Sequence, residues 1–314
     1  MKKKILIIGA NGYLGAQISI HLANQGYKVS GLCFPEIPND TNWINLFENL
    51  FVSDIRDTKK LAEIAENQYD ILIHLVSLDH HQSNASPDFV ASVNITPTWN
   101  LLDIFTKKGL KKFIFFSTIH IYGKDIAGDI AENYPTNSQN PYALTHCISE
   151  TICKYYAVNS ETDCTIVRLS NSYGSPVFSE NNCWWLVVND LCRQAFSDKK
   201  IVLQSDGSPL RDFINGIDVC RAVENIIENG EKNETYHISS GKTYSILELA
   251  QIVQKIYKSV YNKQIDILTA KSTQNYPKKY IINNNKLTQI GFSTSVSLDE
   301  GVKKIFEYFE KKQL

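Results

Sequence analysis

A tyrosine and a histidine stand four residues apart in PYALTHCISE, residues 141–150, where the sequence predicts the start of a helix. This spacing places Tyr142 and His146 on one helix face, so a phenol and an imidazole would share a site. The phenol, with an ordinary pKa of about 10, is a weak base at neutral pH. The imidazole, with an ordinary pKa of about 6.5, would be mostly neutral there unless its surroundings raised that value. A phenol and an imidazole are both groups that transfer protons. The elements around them must indicate with which molecule a proton would be exchanged.

The composition is that of an ordinary globular protein, and it excludes several classes of partner. The 314 residues are 43% hydrophobic and 21% charged, with a formal net charge of -1. A chain this close to neutral has no overall field that would recruit nucleic acid or an anionic membrane. Its longest apolar runs are strand-sized and fall short of the roughly 20 residues that a membrane-spanning helix needs. We therefore expect no nucleic-acid partner and no membrane partner.

The cysteines point to a cellular setting rather than to a site. There are 7 of them, scattered without a CxxC pair. An odd number in this arrangement indicates neither a disulfide framework nor a zinc site. We expect a reducing cytoplasm as the setting, and no bound metal.

The elements that would position these side chains alternate along the first half of the chain. The runs KKILIIGA (3–10) and YKVSGLC (27–33) are typical of buried strands, with a helical pattern between them. Further strand-like runs and helical patterns follow in turn: a helix near 57–68, a strand at 70–76, a helix over about 88–108, a strand at 111–118, the helix near Tyr142 and a strand at 164–170. This alternation predicts an α/β fold, a doubly wound parallel sheet with helices on both faces.

A glycine-rich turn, GANGYLG at residues 9–15, follows the first predicted strand and opens the first predicted helix. Glycines at such a turn let the backbone approach a pyrophosphate, which then lies at the positive end of the helix. Because the turn opens a βαβ unit, it predicts a dinucleotide site. The glycine spacing is GxxGxxG rather than the GxGxxG of the ordinary dehydrogenase fingerprint.

The chain resembles the extended short-chain dehydrogenase/reductase family, which contains nucleotide-sugar epimerases, dehydratases and ketoreductases. Motifs similar to those of the family occur in order over nearly the whole length. After the glycine turn they are DIRD (54–57), HLVS (74–77), NITPT (94–98), FFSTIHIYG (115–123), RLSNSYG (168–174), RDFI (211–214) and ISSGKTYSI (238–246). The resemblance implies a Rossmann dinucleotide-binding domain over residues 1–170, with a later strand returning near 212–240. Residues 171–314 would form a smaller, mainly substrate-binding portion.

The resemblance also implies which residues hold a nicotinamide cofactor. They are Gly9, Asn11, Gly12, Tyr13, Leu14, Gly15, Cys33, Asp54, Ile55, Leu75, Val76, Ser77, Asn94, Ser117, Tyr142 and His146. Members that bind NAD carry an acidic residue at the end of the second strand, where this chain has Cys33. No arginine stands there to hold a 2'-phosphate. We expect NAD, with Glu36 as a candidate for the missing acid, and NADP remains open.

The catalytic residues implied are Thr118, at the end of a strand, and Tyr142. In the family the tyrosine removes a proton from a sugar hydroxyl while a hydride passes to the nicotinamide, and the threonine hydroxyl bonds the same oxygen. A lysine four residues after the tyrosine normally favours the phenolate. Here that position is His146, which departs from the family at a principal catalytic residue.

Three accounts of this departure stay open. In the first, His146 bonds the ribose and supplies charge when it is protonated. In the second, proton transfer has moved to His120 or to His80 and His81, which lie in segments that border the substrate in the family. The third account is loss of the oxidoreductase activity, leaving a protein that binds NAD(P) and senses redox state or supports a partner. The simplest alternative for His80, His81 and His120 is solvation or packing.

The substrate would contact Thr118, His120, His80, Asn171 and Arg211. Asn171 and Arg211 match residues that touch the diphosphate of a nucleotide-activated sugar in the family, and a guanidinium suits that role. The structural alternative is that Arg211 pairs with Asp212. Trp184 and Trp185 would either stack on the substrate or pack under a loop. A structural role is expected for Arg168.

These features predict a nucleotide-sugar oxidoreductase or epimerase that acts at a sugar carbon, C4 being favoured, in the synthesis of surface-polysaccharide sugars. A dehydratase would require an acidic residue directly after Thr118, where the chain has Ile119. The resemblance further implies a homodimer formed by helices that include the one carrying Tyr142. The alternative function is a catalytically impaired NAD(P)-binding protein.

Overall fold

A computed structural model describes residues 2–271 and 278–312 of the chain. In chain order its strands are β1 (Lys4–Ile8), β2 (Lys28–Cys33), β3 (Phe47–Val52), β4 (Ile71–His74), β5 (Lys112–Thr118), β6 (Gly128–Ile130), β7 (Asp163–Leu169), β8 (Asn171–Tyr173), β9 (Lys200–Val202), β10 (Leu210–Asn215), β11 (Thr235–Ile238), β12 (Thr243–Ser245), β13 (Asp266–Leu268) and β14 (Tyr280–Ile282). The α-helices are α1 (Tyr13–Asn24), α2 (Thr41–Ile44), α3 (Thr58–Ala65), α4 (Pro87–Asn94), α5 (Thr96–Thr106), α6 (Pro141–Asn159), α7 (Val187–Ser197), α8 (Gly216–Asn229), α9 (Ile246–Tyr261), α10 (Asn285–Gln289) and α11 (Leu298–Lys312).

A parallel sheet forms the centre of the molecule. Within the described residues it has seven strands in the order β11-β7-β5-β4-β1-β2-β3, and every neighbouring pair in it is parallel. The chain runs outward from β1 through β2 to β3, then returns to β4 on the other side of β1. This reversal opens a crevice at the carboxyl ends of β1 and β4, where ligands of such sheets bind. The predicted doubly wound fold is confirmed.

The two faces of the sheet are covered because side chains alternate along each central strand. On β1, Ile5 and Ile7 pack into the cluster that holds α1 and α8. Leu6 and Ile8 point the other way, into the cluster beneath α3, α5 and α6. Burial on both faces explains why the central strands are continuous apolar runs.

Two expectations about the first half of the chain need correction. The helix predicted over 88–108 is two helices, α4 and α5, with Ile95 between them. Pro97 cannot continue an existing helix because it lacks an N–H, but it fits the first turn of a new one. The edge strand β3 was not predicted, since its residues are partly exposed and form no continuous buried run.

The smaller C-terminal portion packs around its own apolar cluster beneath α7, α9 and α11. It also contains short sheets, of which β12-β10-β8 is one. The strand β11 returns to the main sheet beside β7, whereas β10 lies outside that sheet. Over residues 2–271 and 278–312, no helix combines the length and the apolar character that crossing a membrane requires.

Candidate active site

The glycine turn between β1 and α1 is built for a close backbone approach. Gly9 has φ +86°, and a Cβ on Gly15 would lie 2.0 Å from the Gly9 carbonyl oxygen. The helix begins after Gly12 without a side-chain cap on its first N–H groups. Such N–H groups are available to an anion, and they are aligned with the positive end of the helix dipole. The turn therefore fits the pyrophosphate of a dinucleotide.

Tyr13 and Leu14 occupy the first turn of α1. The Tyr13 hydroxyl donates to the Gly174 carbonyl at 3.1 Å, which ties the turn to the C-terminal portion. Leu14 packs against the apolar cluster on the α1 face of the sheet. Both side chains make contacts within the protein, so the backbone of these two residues is what a cofactor could contact.

The end of β2 differs from what the sequence indicated for Cys33. Its side chain is fully buried, and burial raises the pKa of its thiol to about 12. The thiol is therefore turned into the core, which leaves the backbone as the part of Cys33 that a cofactor could contact. The Asn11 amide donates to the carbonyls of Phe34 and Glu36, both at 3.0 Å. Asn11 thus fastens the loop that follows β2 onto the glycine turn.

The segment after β3 places Asp54 at the surface and Ile55 in the core. Both carboxylate oxygens of Asp54 accept from Arg56, at 2.9 and 2.6 Å. This pairing lowers the pKa of the Asp54 carboxyl. A ligand that used the carboxylate would compete with Arg56.

The end of β4 lies against the glycine turn. A Cβ on Gly9 would come within 2.9 Å of Val76 Cγ2, and Leu75 is the next neighbour. The Ser77 hydroxyl donates to the Leu78 carbonyl at 2.9 Å. These residues form one wall of the crevice, as their position after a central strand predicts.

Asn94, at the end of α4, is turned into the protein. Its amide nitrogen donates to Ser83 Oγ at 3.3 Å and to Thr145 Oγ1 at 3.0 Å. Its side-chain oxygen accepts from the backbone N–H of Leu78 at 2.8 Å. The side chain therefore joins the loop after β4 to α6, and its bonds are used inside the protein rather than toward the crevice.

Thr118 and Tyr142 meet at the carboxyl edge of the sheet. Thr118 ends β5, and Tyr142 lies in the first turn of α6, which begins with Pro141 and is capped by Asn140. Burial raises the pKa of the Tyr142 phenol, the nearby Thr118 hydroxyl lowers it in part by hydrogen bonding to the phenolate, and the charge of Asp79 raises it. The phenol is thus a weak base until something favours its ionised form.

His146 follows Tyr142 by one helical turn and is buried. Its Nδ1 lies 2.8 Å from the Tyr142 carbonyl oxygen. A carbonyl only accepts, so Nδ1 carries the hydrogen and Nε2 is left as an acceptor. Burial also lowers the pKa of the imidazole, with smaller opposing effects from that bond and from Glu150. His146 is therefore neutral near pH 7.

Two further imidazoles surround the Tyr142 ring. His120 lies on the single 3₁₀ turn after β5, with its ring centroid 6.0 Å from that of Tyr142. His80 lies on the loop after β4, at 6.5 Å. Both are exposed to solvent. Surrounding protein lowers the pKa of His120 to about 4, with further lowering from Arg211, His80 and His146. Solvent reaches His120 from one side and protein surrounds it on the others, as is expected for a residue on the wall of an open cleft.

Asn171 and Arg211 lie on the neighbouring strands β8 and β10. The Asn171 amide donates to the Asp212 carbonyl at 2.8 Å. The carboxylate of Asp212 accepts from Ser170, Ser240 and Lys242, at 2.6 to 3.0 Å. Because consecutive strand residues point to opposite faces, Arg211 is directed away from that cluster. It donates to the Leu210 carbonyl at 2.7 Å. Burial raises the pKa of the Tyr280 phenol, and the charge of Arg211 lowers it in part.

The two adjacent tryptophans have different surroundings. Trp184 packs on α11, with ring centroids 5.8 Å from Tyr308 and 5.0 Å from Phe309. Trp185 is 47% exposed and donates from its indole nitrogen to the Asn182 carbonyl. Trp184 is thus the packing residue of the pair, and Trp185 is the one that a ligand could reach.

A buried polar network lies directly under the site. Arg168 donates to both carboxylate oxygens of Glu150, at 2.9 and 2.7 Å. Ser117, next to Thr118, donates to Glu150 at 2.6 Å. The Ser117 hydroxyl is thus used in a hydrogen bond inside the protein. The sequence analysis missed Glu150, although it lies four residues after His146 and so on the same helix face as Tyr142.

No group of three or more His, Cys, Asp or Glu side chains arranged for a metal ion occurs in the part of the chain that the structure describes. All seven cysteines are free thiols, and Cys147 is the most accessible of them.

Comparisons with known proteins identify the family. Residues 5–239 match the family model described as the NAD dependent epimerase/dehydratase family. The chain is 23% identical over 327 residues to a dTDP-D-glucose 4,6-dehydratase of Mus musculus, covering 98% of this chain and 89% of the relative.

Two solved structures are similar over nearly the whole chain. A UDP-glucose 4-epimerase from Thermotoga maritima with UDP-glucose has a TM-score of 0.85 at 24% identity, covering 99% of this chain and 100% of that one. A UDP-glucuronic acid 4-epimerase from Bacillus cereus, in complex with UDP-glucuronic acid and NAD, has a TM-score of 0.82 at 25% identity, covering 98% and 99%. The glycine turn, the sheet and the match over residues 5–239 together show that this chain belongs to the NAD-dependent epimerase/dehydratase family of enzymes.

Proposed function

We propose that the protein is a nucleotide-sugar oxidoreductase or epimerase that acts by hydride transfer at a sugar carbon, C4 being the favoured position. The closeness of Thr118 and Tyr142 carries this proposal, since the Thr118 hydroxyl is near enough to the phenol to lower its pKa. The pair brings a hydroxyl at a strand end to a phenol at a helix start, in the same sheet as the strand before a glycine turn that fits a pyrophosphate. A sugar carbinol or ketone that bound both hydroxyls would have one oxygen held for proton transfer.

Each residue of the candidate active site would have a distinct role. NAD, when bound, takes up and returns the hydride. Tyr142 moves the proton of the sugar hydroxyl, and Thr118 orients the same oxygen. The Nε2 of His146, left as an acceptor, would receive a hydrogen bond from a cofactor ribose hydroxyl. The helix start after Gly12 would receive the pyrophosphate.

The sugar nucleotide would bind along β8 and β10. Arg211 is a permanent cation on the cleft side, close enough to His120 to lower that residue's pKa. It suits the diphosphate of a nucleotide-activated sugar, with Asn171 on the adjacent strand as its neighbour. Trp185 is available to stack on the base or sugar.

The reaction is proposed as epimerisation, ketone reduction or alcohol oxidation rather than dehydration. A dehydratase needs an acid beside the sugar ring, and the residue after Thr118 is the buried, apolar Ile119. A nucleotide sugar processed in this way would serve surface-polysaccharide synthesis, as the sequence resemblance implies. The seven free thiols fit a reducing compartment, for which we propose the cytoplasm.

We also propose a homodimer in which α6 packs against a second copy. Four large apolar side chains form one stripe along the exposed side of this helix. They are Leu144, Ile148, Tyr155 and Val158, with exposed fractions of 51%, 38%, 58% and 84%. Trp99 on the adjacent α5 is 55% exposed. Apolar residues in a continuous stripe of this kind mark an interaction surface.

One observation favours the second candidate, a protein that binds NAD(P) without turnover. The neutral His146 supplies no cation to favour the phenolate of Tyr142. Without that charge a buried phenol titrates at high pH. A binding protein would hold the cofactor and leave every sugar unchanged.

The test is to denature the purified protein and identify the released nucleotide by absorbance and mass, before and after incubation with UDP-, GDP-, dTDP- and CDP-sugars. The expected result is bound NAD whose reduced-nicotinamide absorbance changes with one sugar class. Tyr142→Phe should bind NAD and abolish the change. A cofactor inert to every sugar would favour the binding protein, and turnover that survives Tyr142→Phe would contradict the assignment of the base.

A further inference from the structure

Tyr142 lacks a cationic partner on its own helix. The residue one turn later, His146, donates its Nδ1 hydrogen to the Tyr142 carbonyl at 2.8 Å and is buried in its neutral form. The charged groups near the phenol therefore come from other elements. Asp79, on the loop after β4, is the acidic one and disfavours the phenolate.

Two imidazoles face the phenol ring from opposite elements. The rings of His120 and His80 stand nearly perpendicular to that of Tyr142, at 76° and 87°. His120 is fixed by the turn that Thr118 caps, since the Thr118 hydroxyl accepts from its backbone N–H at 3.2 Å. His80 is held by the loop turn in which Asp79 accepts from the N–H groups of His81 and Gln82, both at 2.8 Å. Both imidazoles are thus positioned by backbone structure.

Both imidazoles also reach solvent, whereas the catalytic hydroxyls lie deeper. His80 and His120 are exposed, and Thr118 is 4% exposed. The other charged and titratable groups that face this region come from three elements. They are Asp79 on the loop after β4, Arg211 on β10 beside His120, and His146 with Glu150 behind it on α6. A neutral imidazole accepts a proton at one nitrogen and releases one from the other, so it conducts protons without holding charge.

We propose that His120 and His80 carry protons between the Tyr142 hydroxyl and bulk solvent. They would thereby take the role of the lysine that the family has at the position of His146 on α6. The inference rests on the proposed function. The Tyr142 O–H proton passes through a bridging water to an imidazole nitrogen, the opposite nitrogen releases a proton to water, and Tyr142 becomes the phenolate. The phenolate would then take the sugar hydroxyl proton, and NAD, when bound, would supply the hydride acceptor. The reverse sequence protonates the alkoxide formed on reduction.

The relay predicts a dependence that a purely structural pair of histidines would not show. With the sugar that the NAD screen identifies, His120→Ala and His80→Ala should each slow the single-turnover absorbance change by at most about twofold, because the other imidazole remains, whereas the double variant should be about a hundredfold slower. Free imidazole in the buffer should restore the rate of the double variant in proportion to its concentration. His21→Ala is the matched control, since His21 lies on α1 and pairs with Glu224 at 2.7 Å, outside the proposed relay. Its rate should equal that of the wild type.

The outcomes separate the two levels of inference. Wild-type rates in the double variant would overturn the relay and leave the proposed function intact. A slow double variant that imidazole does not restore would also overturn the relay and assign the histidines to substrate binding or structure. No absorbance change with the wild type and any sugar would overturn the proposed function and the relay with it. Thermal unfolding of each variant beside His21→Ala identifies any loss of rate that comes from misfolding.

Discussion

His146 donates its Nδ1 hydrogen to the carbonyl oxygen of Tyr142, 2.8 Å away and one helical turn earlier. The bond assigns the tautomer and directs the free acceptor, Nε2, away from the helix backbone. Of the three accounts open from sequence, the one in which protonated His146 supplies charge is the least compatible with burial, which lowers the imidazole pKa. A neutral acceptor for a ribose hydroxyl is the role that the geometry supports.

Replacing this imidazole by an ammonium should strengthen the base. A cation at ~4 Å with an effective dielectric of ~20 is worth about 4 kcal/mol, or roughly 3 pK units, as an upper limit. The cation favours the phenolate, so it lowers the Tyr142 pKa and more of the base exists at a given pH. In His146→Lys the acidic limb of the rate–pH profile should therefore move to lower pH, and the rate near pH 7 should rise.

The matched control is His21→Lys, which places the same charge on α1 beside Glu224, away from the Tyr142 phenol. Its profile should coincide with that of the wild type. Equal profiles for His146→Lys and the wild type would mean that residue 146 does not govern the ionisation of Tyr142.

The glycine turn gives a prediction about stability and cofactor retention. A Cβ at Gly15 would lie 2.0 Å from the Gly9 carbonyl oxygen, whereas one at Gly12 would lie 3.2 Å from it. Gly15→Ala must displace backbone and should cost about 1–3 kcal/mol in the free energy of unfolding. It should also lose bound NAD. Gly12→Ala needs a shift of a few tenths of an ångström and should unfold near the wild-type temperature. Thermal unfolding and NAD release measure both, and equal losses in the two variants would contradict the steric argument.

Much of the fold is predictable from sequence because its central strands are continuous apolar runs. KILII before Gly9 is fully buried after its first residue, so its pattern has one interpretation. Phe47–Val52 at the sheet edge is only partly buried, and its pattern does not distinguish a strand from a loop. The break at Ile95 precedes Pro97, so the sequence did carry its signal, and the prediction of one helix over 88–108 overlooked it.

The residues of the site also divide into those that can be predicted from sequence and those that cannot. Thr118 and Tyr142 come together because a strand end and a helix start are backbone positions, which follow from the order of elements. The directions of Cys33 and Asn94 do not follow from that order. Cys33 faces the core because of the strand register, and Asn94 meets Ser83 and Thr145 only once α4 has packed on α6. Side-chain destinations of this kind require the tertiary structure.

The buried pair of Arg168 and Glu150 should be costly to break. Their side chains are 4% and 2% exposed, and Arg168 also donates to the Glu132 carbonyl at 2.6 Å. Arg168→Met leaves a buried carboxylate without its cation and should lower the free energy of unfolding by about 3–5 kcal/mol. Adding Glu150→Leu should recover part of this loss, because no unpaired charge then remains.

Urea unfolding measures the effect of this pair. Lys107→Met is the control, since the Lys107–Asp103 pair is 68% and 49% exposed and should contribute at most about 1 kcal/mol. If Arg168→Met were no more destabilised than Lys107→Met, the network beneath Ser117 would not be a source of stability.

The exposed stripe on α6 leads to a prediction about assembly. Val158 is 84% exposed at the end of this stripe, with Tyr155 at 58% one turn earlier. If two copies pack α6 against α6, a carboxylate at Val158 would be buried without a partner and would oppose association. The wild type should sediment as a dimer and Val158→Asp as a folded monomer. Val260→Asp, on α9 at 37% exposure, introduces the same charge elsewhere and should remain dimeric. A monomeric wild type would contradict the proposed dimer, and a dimeric Val158→Asp would place the dimer interface on a different surface.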